Sequence, residues 1–351
     1  MKSKRAVVLT LAILAISVLI SFFVTSFAEG GFNKKRNLTV VFYNVENLFD
    51  TENTKGENDA EFTPDGANKW TEDRYNKKVN DISKVLSSVN KNELPEIIGL
   101  CEVENRKVLD DLVKTQLLKD GDYEIEHFES PDFRGIDCAL LYRPDEFKVI
   151  KSTPVSVSFS DDPEYSTRDI LYVKGETRNK EEFHIFVNHW PSRIGGLEQT
   201  EPKRVAVARL LKSKIDSVQK VNPSANILVM GDMNDEPSNK SLSEVLAAKS
   251  PEVKNAALVN LMYPIHTNKK GSYNYRGNWN MLDNIVISAG LLDNSGFQCV
   301  EKQGFVFHEK WMEYVDKTNG ITPNRTYGGP NYYGGVSDHF PVYANFSLGS
   351  R

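Results

Sequence analysis

The run Ile227-Leu228-Val229-Met230 stops at Gly231 and passes at once into Asp232, Asn234 and Asp235, after which Pro237 prevents a strand from continuing. An apolar strand that ends in oxygen donors delivers them to a sheet edge, where α/β proteins commonly carry their chemistry. The same ending recurs along the chain. Asn44 closes LTVVFYN, Glu102 follows Ile97–Cys101, and Asn188-His189 close the run from Phe183; Asp283 lies near the start of the run to Ser288, and Ser337-Asp338-His339 precede Phe340–Phe346. Carboxylates and carboxamides are hard ligands suited to Mg²⁺ or Mn²⁺, with Ca²⁺ also compatible, rather than to zinc. Two histidines beside such an ion could move protons or meet developing charge on a phosphate ester. Any one of these endings alone could be a solvated turn; their company is what suggests a site.

Alternating strand and helix patterns position these endings. Helical spacing of Val79, Ile82, Val85, Leu86 and Val89 predicts an amphipathic helix over 73–90, and Val108, Leu109 and Leu112 mark a second. A third helix is predicted over 202–221, with Val205, Leu210, Leu211, Ile215 and Val218 inward, and a fourth over 238–248. Strands are predicted over 38–44, 97–101, 123–128, 136–142, 149–159, 170–177, 183–189, 272–275, 282–288 and 340–346, whereas residues 51–69 read as a surface loop. No fixed-period repeat and no linker divides the chain after its N-terminus. Strand–helix–strand units interspersed with hairpins predict two packed sheets with helices outside, in one α/β (α+β) domain over 33–348.

The 351 residues, 40% hydrophobic and 26% charged, can bury a large core, and a net charge of −5 argues against holding nucleic acid by bulk electrostatics. That balance leaves room for an enzyme that touches a few phosphates through a metal and a few arginines. Cys101, Cys138 and Cys299 lack CxxC spacing and are expected to be small buried hydrophobes. Lys2, Lys4 and Arg5 precede an uncharged apolar run of 19 residues, Ala6 to Val24, and then Ser26-Phe27-Ala28. This is the pattern of a cleaved leader over 1–28, or of an N-terminal membrane anchor if it is retained. Either places the rest outside the cytoplasm, and a monomer is expected.

The polar endings carry a resemblance. The segments FYNVEN (42–47), LCEVEN (100–105), RGID (134–137), VNHWPSR (187–193), MGDMND (230–235), Leu282-Asp283 and Ser337-Asp338-His339 resemble, in order, the motifs of the endonuclease/exonuclease/phosphatase superfamily. That superfamily includes deoxyribonuclease I, AP endonucleases of the exonuclease III type, neutral sphingomyelinases and inositol polyphosphate 5-phosphatases. The resemblance implies a four-layer αββα sandwich, two mixed β-sheets face to face with helices outside, and divalent-metal hydrolysis of phosphoric esters. Carried over by position, it implies Glu102 as principal metal ligand with Asn44 and Asp338 beside it. Asp232 would orient or deprotonate the attacking water, with Asn234 holding that water and a phosphate oxygen. His339 would face the phosphate with its tautomer set by Asp283, and His189 matches the second histidine of the hydrolases in the group. Asp137 is a candidate to orient His189, while Arg134, Asn188 and Arg193 are candidates for holding substrate. Glu46 is expected to support the Asn44 loop, and Asp235 receives no role.

The substrate side departs from that pattern. TYGGPNYYGGV (326–336) sets Tyr327, Tyr332 and Tyr333 among glycines just before Asp338-His339, where aromatic faces could stack bases. The expectation is an extracytoplasmic, Mg²⁺- or Mn²⁺-dependent phosphodiesterase with nucleic acid, DNA or RNA, as substrate. A phosphomonoesterase, or a phosphodiesterase of lipid or inositol phosphates, shares the same scaffold chemistry and stays open. A non-catalytic binding module is opposed by the intact Glu102, Asp232, Asn234, Asp283 and His339.

Overall fold

A computed structural model describes residues 37–54, 58–293 and 296–348; the expected leader over 1–28 lies outside them. In chain order the strands and helices are β1 (Asn37–Leu48), α1 (Glu72–Ser88), β2 (Ile97–Val103), α2 (Arg106–Val113), β3 (Glu124–His127), β4 (Asp137–Tyr142), β5 (Phe147–Val155), β6 (Ile170–Thr177), β7 (Glu182–His189), α3 (Leu197–Val221) and β8 (Asn226–Asp232). They continue with β9 (Ala248–Lys249), β10 (Leu258–Asn260), α4 (Tyr263–Thr267), β11 (Tyr273–Tyr275), β12 (Asn278–Asn280), β13 (Asp283–Ser288), β14 (Phe297–Cys299), β15 (Phe305–Val306), β16 (Glu313–Asp316), β17 (Gly320–Pro323), β18 (Tyr327–Gly328), β19 (Asn331–Tyr332) and β20 (Val342–Leu348).

Two seven-stranded mixed sheets carry the fold. One runs β14-β20-β1-β2-β4-β3 with β15 also on β20, and the other runs β5-β6-β7-β8-β13-β10-β9. Each holds a central parallel pair, β1 with β2 and β7 with β8, joined by a helical crossover through α1 or α3. A parallel pair needs such a crossover, and it brings both strand C-termini to the same edge. Strand alternation then sorts the side chains. Val40, Phe42, Leu140, Ile185, Leu228 and Met230 fill the layer between the sheets. Val41, Tyr43, Ile98 and Leu100 point the other way, against Ile82, Val85 and Leu86 of α1. Val229 and Val286 likewise meet Val207, Leu211 and Ile215 of α3. Each such fully buried side chain contributes about 1.5–3 kcal/mol, which makes register on these strands strongly specified. The result is the expected αββα sandwich.

Gly99 on β2 lies against Met230 of the second sheet. A Cβ there would stand 2.5 Å from Met230 Sδ and 3.2 Å from the Phe42 ring, so a side chain on β2 would wedge the sheets apart. The three cysteines are free and buried, as expected. No helix among the described residues is long and apolar enough to cross a membrane.

Two expectations are corrected. Residues 51–69 are not a wholly exposed loop: Asp59 and Phe62 are buried, and the Phe62 ring stacks on Phe49 at 4.2 Å, beside the buried Trp70. A single aromatic within a polar segment has no period to betray it. The helix predicted over 238–248 is instead one π turn, Ser241–Val245, closed by Leu246 N–H donating to the Ser241 carbonyl at 2.9 Å, and the chain then enters β9. Leu242 and Leu246 are buried there with the α3 layer, and packing overrode the helical propensity of the segment.

Candidate active site

The C-terminal ends of the two central parallel pairs converge. In the second sheet Asp232 sits in ladder register between His189 on β7 and Asp283 on β13, so three titratable side chains share one row across three strands. From the first sheet, Asn44 Nδ2 reaches Asp232 Oδ2 at 3.1 Å and Glu102 Oε1 at 3.4 Å. His189 Nε2 lies 3.8 Å from both Glu102 Oε1 and Asp232 Oδ2. His339 Nδ1 pairs with Asp283 Oδ2 at 2.7 Å, and its Nε2 lies 3.8 Å from Asp232 Oδ2. The turn before β20 is braced on both sides, since Ser337 Oγ donates to the Asn44 carbonyl at 2.7 Å and accepts the His339 N–H at 3.0 Å.

Strand periodicity alone would not aim Glu102 inward. The β2 pairing slips between Cys101 and Val103, and Glu102 takes the left-handed conformation with φ 63°. That bulge turns the carboxylate out of the pleat, where Asn47 N–H donates to Oε2 at 3.0 Å and Arg134 Nη2 approaches it at 3.1 Å. The end of β1 is irregular too, with Glu46 and Asn47 at φ 49° and 54°, and Asn234 adopts φ 48° beyond β8. Left-handed non-glycine residues are sparse, and four of them gathered at one edge are held there by surrounding bonds. For Asn234 these are its N–H to Asp232 Oδ1 and its Nδ2 to the Trp190 carbonyl, each at 2.9 Å.

The surroundings divide the charges. Burial pushes the Glu102 carboxyl upward, but Arg134, His189 and His339 outweigh it and hold the group well below the usual carboxylate range. Burial raises Asp232 to about 6, with the His339 charge opposing and the Asp283 carboxylate adding. Burial alone would discharge His339, yet Asp283 and Asp232 raise it well above its ordinary value. His189 goes the other way: burial, then the Arg168 charge, keep it well below. The site therefore sets a charged imidazole and a neutral one against an ionised Glu102 and a carboxyl, Asp232, poised near neutrality.

The donor set fits a divalent cation. Glu102 and Asp232 offer carboxylate oxygens on either side of the Asn44 carboxamide, and Asp283 Oδ1 is a buried oxygen without a hydrogen-bond partner among the described residues. Glu102 would hold the ion from the first sheet; Asn44 turns its Nδ2 to the carboxylates while its Oδ1 accepts the Glu46 N–H at 3.0 Å, so its carboxamide would have to turn to add a ligand oxygen.

Several expected residues stand elsewhere. Asp338 Oδ2 accepts from Arg325 Nη2 at 2.9 Å, and the residue lines an adjoining cavity. Asp137 accepts from Ser130 N–H at 2.8 Å and lies 3.1 Å from His127 Nε2, so it supports His127 rather than His189, whose Nδ1 has no hydrogen-bond partner among the described residues. Arg134 is at the rim against Glu102. Asn188 is fully buried, its Nδ2 donating to the Phe186 and Met230 carbonyls and its Oδ1 accepting Trp190 Nε1, so no atom of it reaches a substrate. Arg193 spends Nε on the Asn234 carbonyl (2.6 Å), Nη1 on Asn280 Oδ1 and Nη2 on Asn239 Oδ1 (both 3.1 Å), which makes it a brace behind Asn234.

Other contributors have no local signal. Asp235 is buried, with Arg204 Nε 2.8 Å from its Oδ1, Arg193 Nη2 at 3.6 Å, and Ser241 Oγ donating to its Oδ2 at 2.6 Å. Arg204 lies on α3 at a position whose type alone reads as solvent-facing, yet it is fully buried. Lys78 on α1 is buried as well, donating to Thr326 Oγ1 at 2.6 Å and to the Val336 carbonyl at 2.9 Å, which ties down the Thr326–Val336 segment. Glu46 accepts the Thr326 N–H at 2.7 Å from the other side, joining that segment to the Asn44 loop. Arg168 completes the set by donating to the Trp190 carbonyl at 2.8 Å and to Asp132 at 3.0 Å.

Two mixed sheets presenting carboxylates, a carboxamide and two histidines at one shared edge define a phosphoester-hydrolase type of α/β sandwich. Residues 39–347 match the sequence model of the Endonuclease/Exonuclease/phosphatase family, and the chain belongs to that family. The fold is similar to that of the human Nocturnin catalytic domain with bound sulfate anion (18% identity, TM-score 0.53, 89% of this chain and 94% of that one). It is also similar to a mannosyl-6-phosphatase of Bacteroides thetaiotaomicron (18%, 0.54, 88% and 99%). A third likeness is to D. rerio TDP2 complexed with single strand DNA product (14%, 0.54, 89% and 99%). No curated protein sequence matches the chain.

Proposed function

We propose that the chain is a divalent-metal-dependent phosphodiesterase acting on nucleic acid outside the cytoplasm. The observation that carries the reading is the row His189–Asp232–Asp283 facing Asn44 and Glu102 across the two sheets, closed by His339. Mg²⁺ or Mn²⁺, with Ca²⁺ compatible, would be held by Glu102, with the Asn44 carboxamide beside it, and would supply neutralisation of phosphate charge. Asp232, with a pKa of about 6, can take a proton from a water aligned with phosphorus, and Asn234 beside it orients that water. The charged His339 donates from Nε2 to a phosphate oxygen, while Asp283 fixes Nδ1 as the other protonated nitrogen. His189, kept neutral, offers Nε2 as a second hydrogen-bonding group between Glu102 and Asp232. Arg134 at the rim is placed to meet a phosphate once Glu102 is otherwise engaged.

Nucleic acid is preferred as substrate because Tyr333 lines a cavity beside Asp338, whereas Tyr327 and Tyr332 of the same segment pack away from the site against Trp70 and Arg74; similarity to an enzyme complexed with DNA is in accord with this. The location rests on the N-terminal basic–apolar–small pattern. A phosphomonoesterase is the second reading, favoured by the similarity to a mannosyl-6-phosphatase. The test is purified protein with Mg²⁺, Mn²⁺ or EDTA on plasmid DNA, RNA, sphingomyelin, inositol phosphates and mannose 6-phosphate, with His339→Ala as control. Metal-dependent cleavage of DNA or RNA, lost in His339→Ala, is expected. Turnover of a lipid or small phosphate with nucleic acids left intact would overturn the substrate assignment. The N-terminal residue of exported protein tests location: Glu29 signifies cleavage, Met1 an anchor.

A further inference from the structure

Beside the catalytic row lies a cavity of about 360 Å³ that none of the motif residues except Asp338 helps to line. Its walls come from three short hairpins: β11–β12, β16–β17 and β18–β19 with the residues that follow. Tyr275, Tyr314 and Tyr333 line it, each more than half exposed (54%, 51% and 56%), and no other tyrosine among the described residues is exposed to this degree. Three amphipathic rings left open to water in one place, while the remaining tyrosines are wholly or largely covered, mark a surface that gains by being stacked upon. The rings of Tyr314 and Tyr333 are within 13° of parallel, with centroids 6.3 Å apart. Tyr333 is seated there by a missing side chain: a Cβ on Gly328 would stand 2.3 Å from its ring.

The charges have a direction as well. Asp338 is engaged by Arg325, and Asp316 Oδ1 accepts the N–H groups of Thr318 and Asn319 at 2.8 and 2.7 Å. Arg276 has no ion pair among the described residues; its guanidinium lies 5.1 Å over the Tyr275 ring and lines the same cavity. The floor connects to the catalytic residues, because Tyr273 forms a β-bridge with His339 and its ring lies 4.8 Å from that imidazole.

We infer that this three-hairpin cavity is a nucleobase subsite, which stacks the base of the nucleotide flanking the scissile phosphate on Tyr275, Tyr314 and Tyr333 and meets a neighbouring phosphate with Arg276. The inference rests on the phosphodiesterase reading above and makes it specific: the substrate is a strand whose bases are free to leave a duplex, as base–aromatic stacking requires. A diacyl lipid has no planar ring to place there, and an inositol phosphate would leave the tyrosine faces unused. Base stacking on one aromatic residue is worth about 1–3 kcal/mol, or roughly 5- to 150-fold in affinity.

The test separates base from sugar and binding from turnover. Full-length protein in EDTA is titrated with AMP, ribose 5-phosphate and mannose 6-phosphate, following intrinsic fluorescence or heat. AMP is expected to bind at least ~10-fold more tightly than either sugar phosphate. Tyr333→Ala and Arg276→Ala, both at exposed positions where folding should survive, are expected to shrink that preference; thermal melts check the fold. Equal affinity for AMP and the sugar phosphates, or a preference that survives in both folded variants, overturns the subsite. Single-stranded and duplex oligonucleotides with Mg²⁺ then address the underlying reading. An AMP preference without strand cleavage leaves the subsite standing and removes the nuclease, whereas cleavage without an AMP preference does the reverse.

Discussion

The contact between Arg204 and Asp235 allows a quantitative test of how the Asp232–Asn234 turn is held. Both side chains are essentially without solvent exposure, and Arg204 Nε stands 2.8 Å from Asp235 Oδ1. Arg204 also donates to Thr200 Oγ1 at 2.7 Å and to the Leu197 carbonyl at 3.0 Å. Arg204→Met keeps most of the side-chain volume and removes the charge. Asp235 then retains only Arg193 at 3.6 Å and the Ser241 hydroxyl. Removing one partner of a buried ion pair costs about 3–5 kcal/mol, because the other charge is left without compensation; the surviving Arg193 contact places this case near ~3 kcal/mol. At roughly 2–4 °C per kcal/mol for a domain of this order, the expected fall in Tm is about 6–12 °C. Arg204→Met/Asp235→Leu removes both charges and should recover at least about 2 kcal/mol of the loss. Urea unfolding of wild type, both single variants and the double variant measures the coupling. A loss below ~1 kcal/mol for Arg204→Met, or a double variant no more stable than the single ones, would refute the claim that a buried ion cluster holds the turn.

Three further outcomes are expected. Glu102→Gln should weaken metal affinity by at least ~10–100-fold while shifting stability by no more than about 1 kcal/mol, since its Arg134 partner is half exposed; a metal titration beside a thermal melt reads both, and an unfolded variant would make Glu102 structural. Asp283→Asn should lower kcat by about 10²–10⁴. Because Asp283 helps to keep His339 charged, its removal should also move the alkaline limb of the pH–rate profile to lower pH, and an unmoved limb would exclude His339 as the charged donor. Glu96, buried and raised from 4.5 to about 7, binds its proton more tightly when folded. The stability it contributes is present below pH 4.5 and lost as pH rises through about 7, a difference of 2.5 pH units or roughly 3 kcal/mol. Glu96→Gln should flatten that slope between pH 5 and 8 in urea titrations, and an undiminished slope would assign the pH dependence to other groups.

Where strands end, and what chemistry their ends carry, was legible in the amino-acid sequence. Strand alternation and apolar runs are local, so the central strands β1, β2, β4, β6, β7, β8 and β13 could be read from them, and the oxygen donors at their ends pointed to a hard cation and a phosphate ester. The ordered motifs extended this to the αββα sandwich and to the residues that do converge: Asn44, Glu102, His189, Asp232, Asn234, Asp283 and His339. How each is aimed came from long-range packing. The bulge that turns Glu102 inward breaks the two-residue period from which strand faces are inferred. Asn188 and Arg193 share the residue types of substrate binders, and Asp137 that of a histidine-orienting group; only the partners around them show that their donors and acceptors are spent on the scaffold. Asp235, left without a role by its position in the motif, is occupied by Arg204 and Ser241, which lie on other segments of the chain. The tyrosine cavity is the extreme case, since Tyr275, Tyr314 and Tyr333 come from three hairpins and no local pattern could join them. A polar side chain has the same chemistry wherever it stands; whether it acts on a substrate or holds the scaffold depends on which partners folding brings within hydrogen-bond distance, and those partners are distant in sequence.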